Sequence, residues 1–214
     1  MTPEVARVRL LVEYLVLFLG VAGLLAVVRL PGGPIPLLIV LGPVAWWYLR
    51  RRPDLDRRDL TRAEAVRPAL PAILRLWLLA AVVAVAAIVV FVPAWLLNLP
   101  RQQPLLWLAV VVFYPLLSVY PQELLYRAFL LYRYAPVFGT GRRAAAASAV
   151  AFGAAHLMFH NVLSVLLTLV GGWLFARRYQ RTRSLLAASV EHALYGVLAF
   201  TVGLGTLFYH GAGH

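Results

Sequence analysis

Apolar residues in this chain come in long runs separated by short polar segments, the pattern of helices that cross a bilayer. The first run extends from about Val8 to Val28. Arg7 and Arg9 before it resemble the start of a signal peptide. No small-residue cleavage site closes the run and further runs follow, so it predicts a retained first helix. Pro31-Gly32-Gly33-Pro34 predicts a turn. A second run, about Ile35 to Leu49, ends on Trp46, Trp47 and Tyr48, residues suited to the headgroup level. A third covers about Ala72 to Leu97, and Asn98-Leu99-Pro100-Arg101 closes it with a short turn. The fourth, about Pro104 to Tyr134, is too long for one straight span. Pro115 and Pro121 each remove a backbone donor, which predicts a span to about Tyr120 and a second helical piece from Pro121. Runs over about Ala144 to His160, Val162 to Phe175 and Leu185 to Tyr209 complete the set. The expected fold is all-α, a polytopic transmembrane helix bundle of about seven or eight spans, with polar motif helices around a central cavity. No internal repeat or low-complexity linker divides it, so residues 1–214 are expected to form one integral membrane domain.

Polar positions orient the spans. The one long polar segment, within residues 50–70, holds seven Arg and four acids (Asp54, Asp56, Asp59, Glu64) between Arg50 and Arg67. It reads as a solvated cytoplasmic loop with internal ion pairs. With the N-terminus inside, sixteen Arg fall on the inner side and two, Arg29 and Arg101, on the outer. That asymmetry predicts an inner N-terminus, in what is expected to be a bacterial cytoplasmic membrane. Composition agrees: 63% of residues are hydrophobic and 13% charged, which excludes an ordinary soluble globule and intrinsic disorder. The net charge of +12 follows membrane topology rather than a nucleic-acid surface, so no nucleic-acid partner is expected. Cysteine is absent, which removes disulfides and thiol nucleophiles.

Ionisable side chains inside the apolar runs are costly and need a reason. Glu123 and Arg127, in Pro121-Gln122-Glu123-Leu124-Leu125-Tyr126-Arg127, are four apart and share a helix face. They read either as an ion pair neutralised within the bundle or as a carboxylate held by arginine and ready to act on water. Phe152, His156 and His160 form one stripe, and Gly153, Ala154 and Ala155 allow a neighbouring helix to approach closely. Two His at i and i+4 suit a shared metal or a proton relay, although Leu157 excludes a His-Glu-x-x-His site. His160 and Asn161 also read as a polar helix end. His192 and Gly196 are four apart near the start of the last run, and Gly196 lets another group come close. Glu191 reads as an interfacial carboxylate near Arg181 and Arg183. Glu13 and Arg75 stand outside these patterns and have no assigned role. A carboxylate with two or three His on separate helices is a hydrolytic constellation.

At these residues the chain resembles the CPBP family of intramembrane proteases, which includes the type II CAAX prenyl proteases and the Abi proteins. The family pattern is Glu-Glu-x-x-x-Arg, then Phe-x-x-x-His, then His-x-x-x-Asn or a similar polar residue. Here the three read Gln122 to Arg127, Phe152 to His156, and His192 to Gly196, in order, within a motif core over residues 112–200. The resemblance implies an endopeptidase that cuts membrane-associated proteins or peptides with activated water, from a cavity open to the cytosol. Its partners would be a protein or peptide substrate and the lipid bilayer. Carried over, His156 assists the water and His192 faces the oxyanion. Two positions depart from the pattern: Gln122 stands for the first Glu, and Gly196 for the side-chain amide. Glu123 is therefore expected to be the base, with Gln122 a hydrogen-bond donor to substrate or oxyanion. Arg127, Phe152, His160, Asn161 and Gly196 support these three catalytic residues.

The family is described both as glutamic and as metallo-type. The metal-free reading needs fewer assumptions, so no cofactor is the first expectation; the alternative is zinc on Glu123, His156, His160 and His192. Two other functions compete with proteolysis. One is a non-catalytic immunity or partner-binding protein on the same scaffold, fed by Gln122 and Gly196. The other is a transporter using Glu123, His156 and His192 as a proton path, although no duplicated halves are visible.

Overall fold

The structure, a computed structural model, describes residues 2–28 and 33–208. Among the described residues it is helical with no strand. Its main elements are α1 (Pro3–Val27), α2 (Ile35–Arg50), α3 (Val66–Phe91), α4 (Pro104–Arg133), α5 (Arg142–Ala155), α6 (Val162–Thr182) and α7 (Leu185–Val202). Five of them, α1, α3, α4, α6 and α7, are long and apolar enough to cross a membrane, while α2 is a shorter apolar helix. The protein is thus an integral membrane helix bundle. Large apolar side chains on α1, α3 and α4, such as Val16, Leu79 and Leu116, point outward, as a lipid-facing surface requires.

Several boundaries differ from the sequence expectation. The fourth run is one continuous helix, not two pieces. Pro115 opens a π-helical turn at Pro115–Val119 and Pro121 follows it, so the wider winding lies where the two donors are missing; a second π-helical turn spans Leu124–Phe129. The third helix stops at Phe91, before Pro93 starts a tight turn at Pro93–Trp95. The fifth run is a 14-residue helix followed by a 3₁₀ turn at His156–Phe159. The sixth helix continues past Phe175 to Thr182, so Arg177, Arg178 and Arg181 lie on it rather than in a loop. Arg29, three residues of the Pro31–Pro34 turn region and its lead-in (30–32), and Tyr209 at the end of the seventh run lie outside the described residues.

The segment between α2 and α3 is folded rather than freely solvated. Asp59 and Leu60 are buried, and Leu60 joins an apolar cluster with Leu49, Leu124 and Leu185. Asp59 pairs with Arg183 and, at 3.4 Å, with Arg62. Burial pushes its carboxyl above the usual range, against the pull of those two arginines. The Ser184 hydroxyl donates to the Arg62 carbonyl at 2.6 Å, and Tyr120 donates to that of Leu60 at 3.2 Å. The expected internal ion pairs exist on its outer side, Arg58–Glu64 and Arg62–Asp56, both at 3.1 Å. Beside it, Arg50 lies over Trp46 at 4.4 Å and Arg51 over Trp47 at 4.2 Å. Glu13 ties α1 to the end of α4, accepting from Arg133 at 2.9 and 2.8 Å and from Tyr134 at 3.1 Å.

Small residues set the closest helix crossing, between α5 and α6. A Cβ on Gly172 would stand 3.0 Å from the Ala149 backbone, and one on Gly153 would meet the Leu169 side chain at 2.6 Å. Packing this tight stabilises helix pairs inside a membrane, where apolar burial gives little net gain. Gly172→Val should lower the stability of the purified protein by about 1–3 kcal/mol. Gly23→Ala, whose added Cβ would meet nothing within 4 Å, should leave it unchanged. Thermal unfolding in detergent compares the two, and equal midpoints would contradict this view of the crossing.

Candidate active site

Helix α4 carries Glu123 and Arg127 one turn apart, and both are fully buried at 0% exposure. Helix α7 brings His192 against them. Its Nδ1 lies 2.9 Å from Glu123 Oε1, while Arg127 Nε lies 3.2 Å from Glu123 Oε2. Oε1 is therefore hydrogen-bonded, while Oε2 faces the guanidinium as an ion pair without a hydrogen bond. A carboxylate paired with arginine only accepts, so the proton between Glu123 and His192 resides on Nδ1. That leaves His192 Nε2 with a lone pair, and it lies 3.3 Å from the Tyr114 hydroxyl, which donates to it. The result is a polar chain, Arg127–Glu123–His192–Tyr114, built from one face of α4 and one of α7.

Aromatic rings hold this chain. The His192 ring stacks on Phe175 at 4.6 Å and 14°, and meets Phe152 edge-on at 5.4 Å. The Arg127 guanidinium lies over the same rings, 4.6 Å from Phe152 and 5.6 Å from Phe175. Its Nη1 also donates to Ser148 Oγ at 3.3 Å, and Ser148 donates to the Tyr126 carbonyl at 2.7 Å. Cation–π contact and hydrogen bonding thus replace part of the hydration that Arg127 gives up.

His156 is half-buried in the turn after α5. Its Nδ1 contacts the Phe152 carbonyl at 2.8 Å, and because a carbonyl only accepts, Nδ1 carries the proton and Nε2 is left as an acceptor. The Phe152 ring contacts both imidazoles, with its centroid 4.7 Å from that of His156 and 5.4 Å from that of His192. Gln122 is half-buried, and its amide donates to Ser118 Oγ at 2.6 Å, one turn back on α4. His160 is exposed, with φ 50°, at the end of the 3₁₀ turn. Asn161 caps α6, accepting from the Ser164 amide at 3.1 Å. Glu191 is buried and held bidentately by Arg178 at 2.8 and 3.0 Å, rather than by Arg181 or Arg183. Arg75 bonds back to the Pro71 carbonyl at 3.3 Å.

The structure thus brings Glu123, Arg127, Phe152 and His192 together, with His156 against the Phe152 ring. It leaves His160 and Asn161 at a helix end. Three site residues escaped the sequence reading: Tyr114, Ser148 and Phe175. For Tyr114 a signal existed, since Tyr114, Ser118 and Gln122 recur every four residues as a polar stripe in an apolar run. Gly196 is explained by the same tyrosine. A Cβ there would run into the Tyr114 ring, 2.6 Å from its Cζ. The phenol therefore fills the space that a side chain at 196 would enter.

A zinc ion needs three or more side-chain ligands converging on one point. Among the described residues no group of three His, Asp or Glu does so. Glu123 and His192 bond to each other, and His160 is exposed at its helix end. Glu123, His156, His160 and His192 thus do not form a ligand set that fits zinc.

Residues 100–198 match the family Type II CAAX prenyl endopeptidase Rce1-like. No curated protein and no solved structure gives a significant match.

Removing one partner from a buried ion pair leaves the other uncompensated. Arg127→Met should cost about 3–5 kcal/mol of stability. Adding Glu123→Leu to it should recover most of that loss, because the charge left behind is removed too. Unfolding in detergent measures both; a double variant no better than the single would show that Glu123 is compensated without Arg127.

Proposed function

Because residues 100–198 match the Rce1-like family of type II CAAX prenyl endopeptidases, we propose that this protein is an intramembrane endopeptidase using the Glu123–His192 pair to activate water. The single observation that carries this reading is the buried carboxylate bonded to an imidazole whose second nitrogen is left as an acceptor. The substrate is a protein or peptide at the membrane, reached from the side bearing the Arg-rich segment. By the positive-inside asymmetry, that side is the cytosol.

The roles follow from the hydrogen bonds. Glu123 is fully buried and its Oε1 meets His192 Nδ1, so in this scheme the group that acts on water is His192, with Glu123 behind it. His192 Nε2 takes a proton from water as the water oxygen bonds to the scissile carbonyl carbon. The resulting imidazolium is stabilised by the Glu123 carboxylate at Nδ1. Arg127 keeps that carboxylate ionised and oriented. His156 Nε2 accepts the second hydrogen of the water and aims its lone pair. When the tetrahedral intermediate collapses, the C–N bond breaks and His192 returns its proton to the leaving amine.

The carbonyl oxygen that becomes negative needs a donor. His192 Nε2 is a base in this arrangement and cannot donate at the start. The Tyr114 hydroxyl, now bonded to Nε2, is free to turn to the oxyanion once water takes its place. Tyr114 thus offers the polar group that position 196 lacks, from a different helix.

Cleavage of a quenched peptide library by detergent-purified protein tests these roles. Glu123→Gln should lower kcat by about 10³–10⁴, since the imidazole loses both its tautomer and its counter-charge. Tyr114→Phe should lower kcat by about 10²–10³ with KM little changed. Wild-type cleavage should persist in a zinc chelator. Full activity of folded Glu123→Gln would refute the pair as the catalytic base. Unaltered kcat in Tyr114→Phe would remove only the tyrosine from the scheme.

A further inference from the structure

Helix α7 packs against both α3 and α6, which make little contact with each other. They therefore flank a groove whose floor is α7. At the end bearing the Arg-rich segment the groove widens into a cavity of about 310 Å³. Arg142, from the start of α5, lines it with Arg177, Arg178 and Arg181 from the end of α6. The one carboxylate facing them, Glu191, is already taken by Arg178. Among the described residues, Arg142, Arg177 and Arg181 have no carboxylate within ion-pair distance. Like charges gathered around one cavity repel unless an anion lies between them.

The cluster is held in place rather than merely crowded. Arg177 Nη1 donates to Gln180 Oε1 at 2.8 Å, and Gln180 Nε2 donates to the Gly141 carbonyl at 2.9 Å. That bond joins the end of α6 to the start of α5. Arg142 lies 5.9 Å above the Trp173 ring. The walls next to the charges are apolar: Trp173 on α6 and Leu76 on α3. Each continues along its helix as an exposed apolar stripe, Val170 and Leu166 on one side, Leu79 and Val83 on the other. A ligand suited to this place has a phosphate at one end and hydrocarbon at the other.

We propose that this cavity binds the headgroup phosphate of an anionic phospholipid, with its acyl chains lying in the groove between α3 and α6. Guanidinium groups match phosphate oxygens in geometry as well as charge. Basic pockets between membrane helices near the surface are suited to such headgroups. The site differs from the one built on Glu123, and its occupancy is read without proteolysis. Glu191, clamped by Arg178 at the cavity, directly precedes His192, so a bound lipid abuts the helix that carries the base.

Native mass spectrometry of the purified protein, titrated with phosphatidylglycerol or phosphatidylcholine, tests the proposal. One phosphatidylglycerol per chain should be retained at least about 10-fold more tightly than phosphatidylcholine. Arg142→Gln with Arg181→Gln should weaken phosphatidylglycerol roughly 30-fold, the effect of removing two surface guanidinium groups. Arg142→Gln alone should give part of that loss if the double variant folds poorly. Arg50→Gln with Arg51→Gln removes as much charge outside the cavity and should change nothing. Equal retention of the two lipids would overturn the proposal, as would an equal loss in the Arg50/Arg51 pair, which would mean diffuse surface attraction. Inorganic phosphate that displaced phosphatidylglycerol and matched its thermal stabilisation would assign the cavity to a soluble anion instead.

Discussion

Glu123 is ionisable, fully buried and surrounded by apolar helices, so its charge has to be met within hydrogen-bonding distance or be lost. Arg127 meets it from one turn further along α4, and His192 from α7. Each of these partners brings a need of its own. Arg127 recovers part of the hydration it lost from Ser148 and the faces of Phe152 and Phe175, while its Nε and Nη2 stay without a hydrogen bond. His192 must have its tautomer set, which the carboxylate does. The architecture of α4 to α7 can be read as the set of contacts that one buried carboxylate requires.

Rings and small residues serve that end together. Phe152 and Phe175 come from two helices that cross at Ala149, Gly153 and Gly172, where the backbones nearly touch. A larger residue at this crossing would separate the rings and loosen the grip on both His192 and Arg127. The catalytic geometry proposed above therefore depends on residues without functional groups. The folded segment between α2 and α3 acts at the other end of α7. It anchors the start of that helix through Ser184, Arg183 and the buried Asp59.

Gly196 and Tyr114 are explained by each other. Position 196 has no side chain, and the phenol of Tyr114 stands in the space left. Its hydroxyl reaches the nitrogen of His192 that faces the site. Gln122 is a different case, since its amide turns back to Ser118 on its own helix. In the proposed scheme the Tyr114 hydroxyl takes the part of the amide that Gly196 lacks, whereas the Gln122 amide is spent on its own helix.

What could be read along the chain was local. Long apolar runs set the membrane class and most helix positions, because crossing a bilayer demands length and hydrophobicity within each segment. The pairing of Glu123 with Arg127 was legible too, since four residues make one turn of one helix. Small residues after Phe152 announced a close crossing. Two kinds of feature were not legible. Helix extents shifted: α4 ran through Pro115 and Pro121 with π-helical winding, and α6 continued into its arginines. Contacts between helices were decided only by packing. The bond from Glu123 to His192 spans 69 positions, and that from Tyr114 to His192 spans 78. The same holds for the four arginines around their cavity, which come together because α5 returns beside α6. Spacing along one helix fixes a face, but which faces meet depends on side-chain volumes summed over the whole bundle.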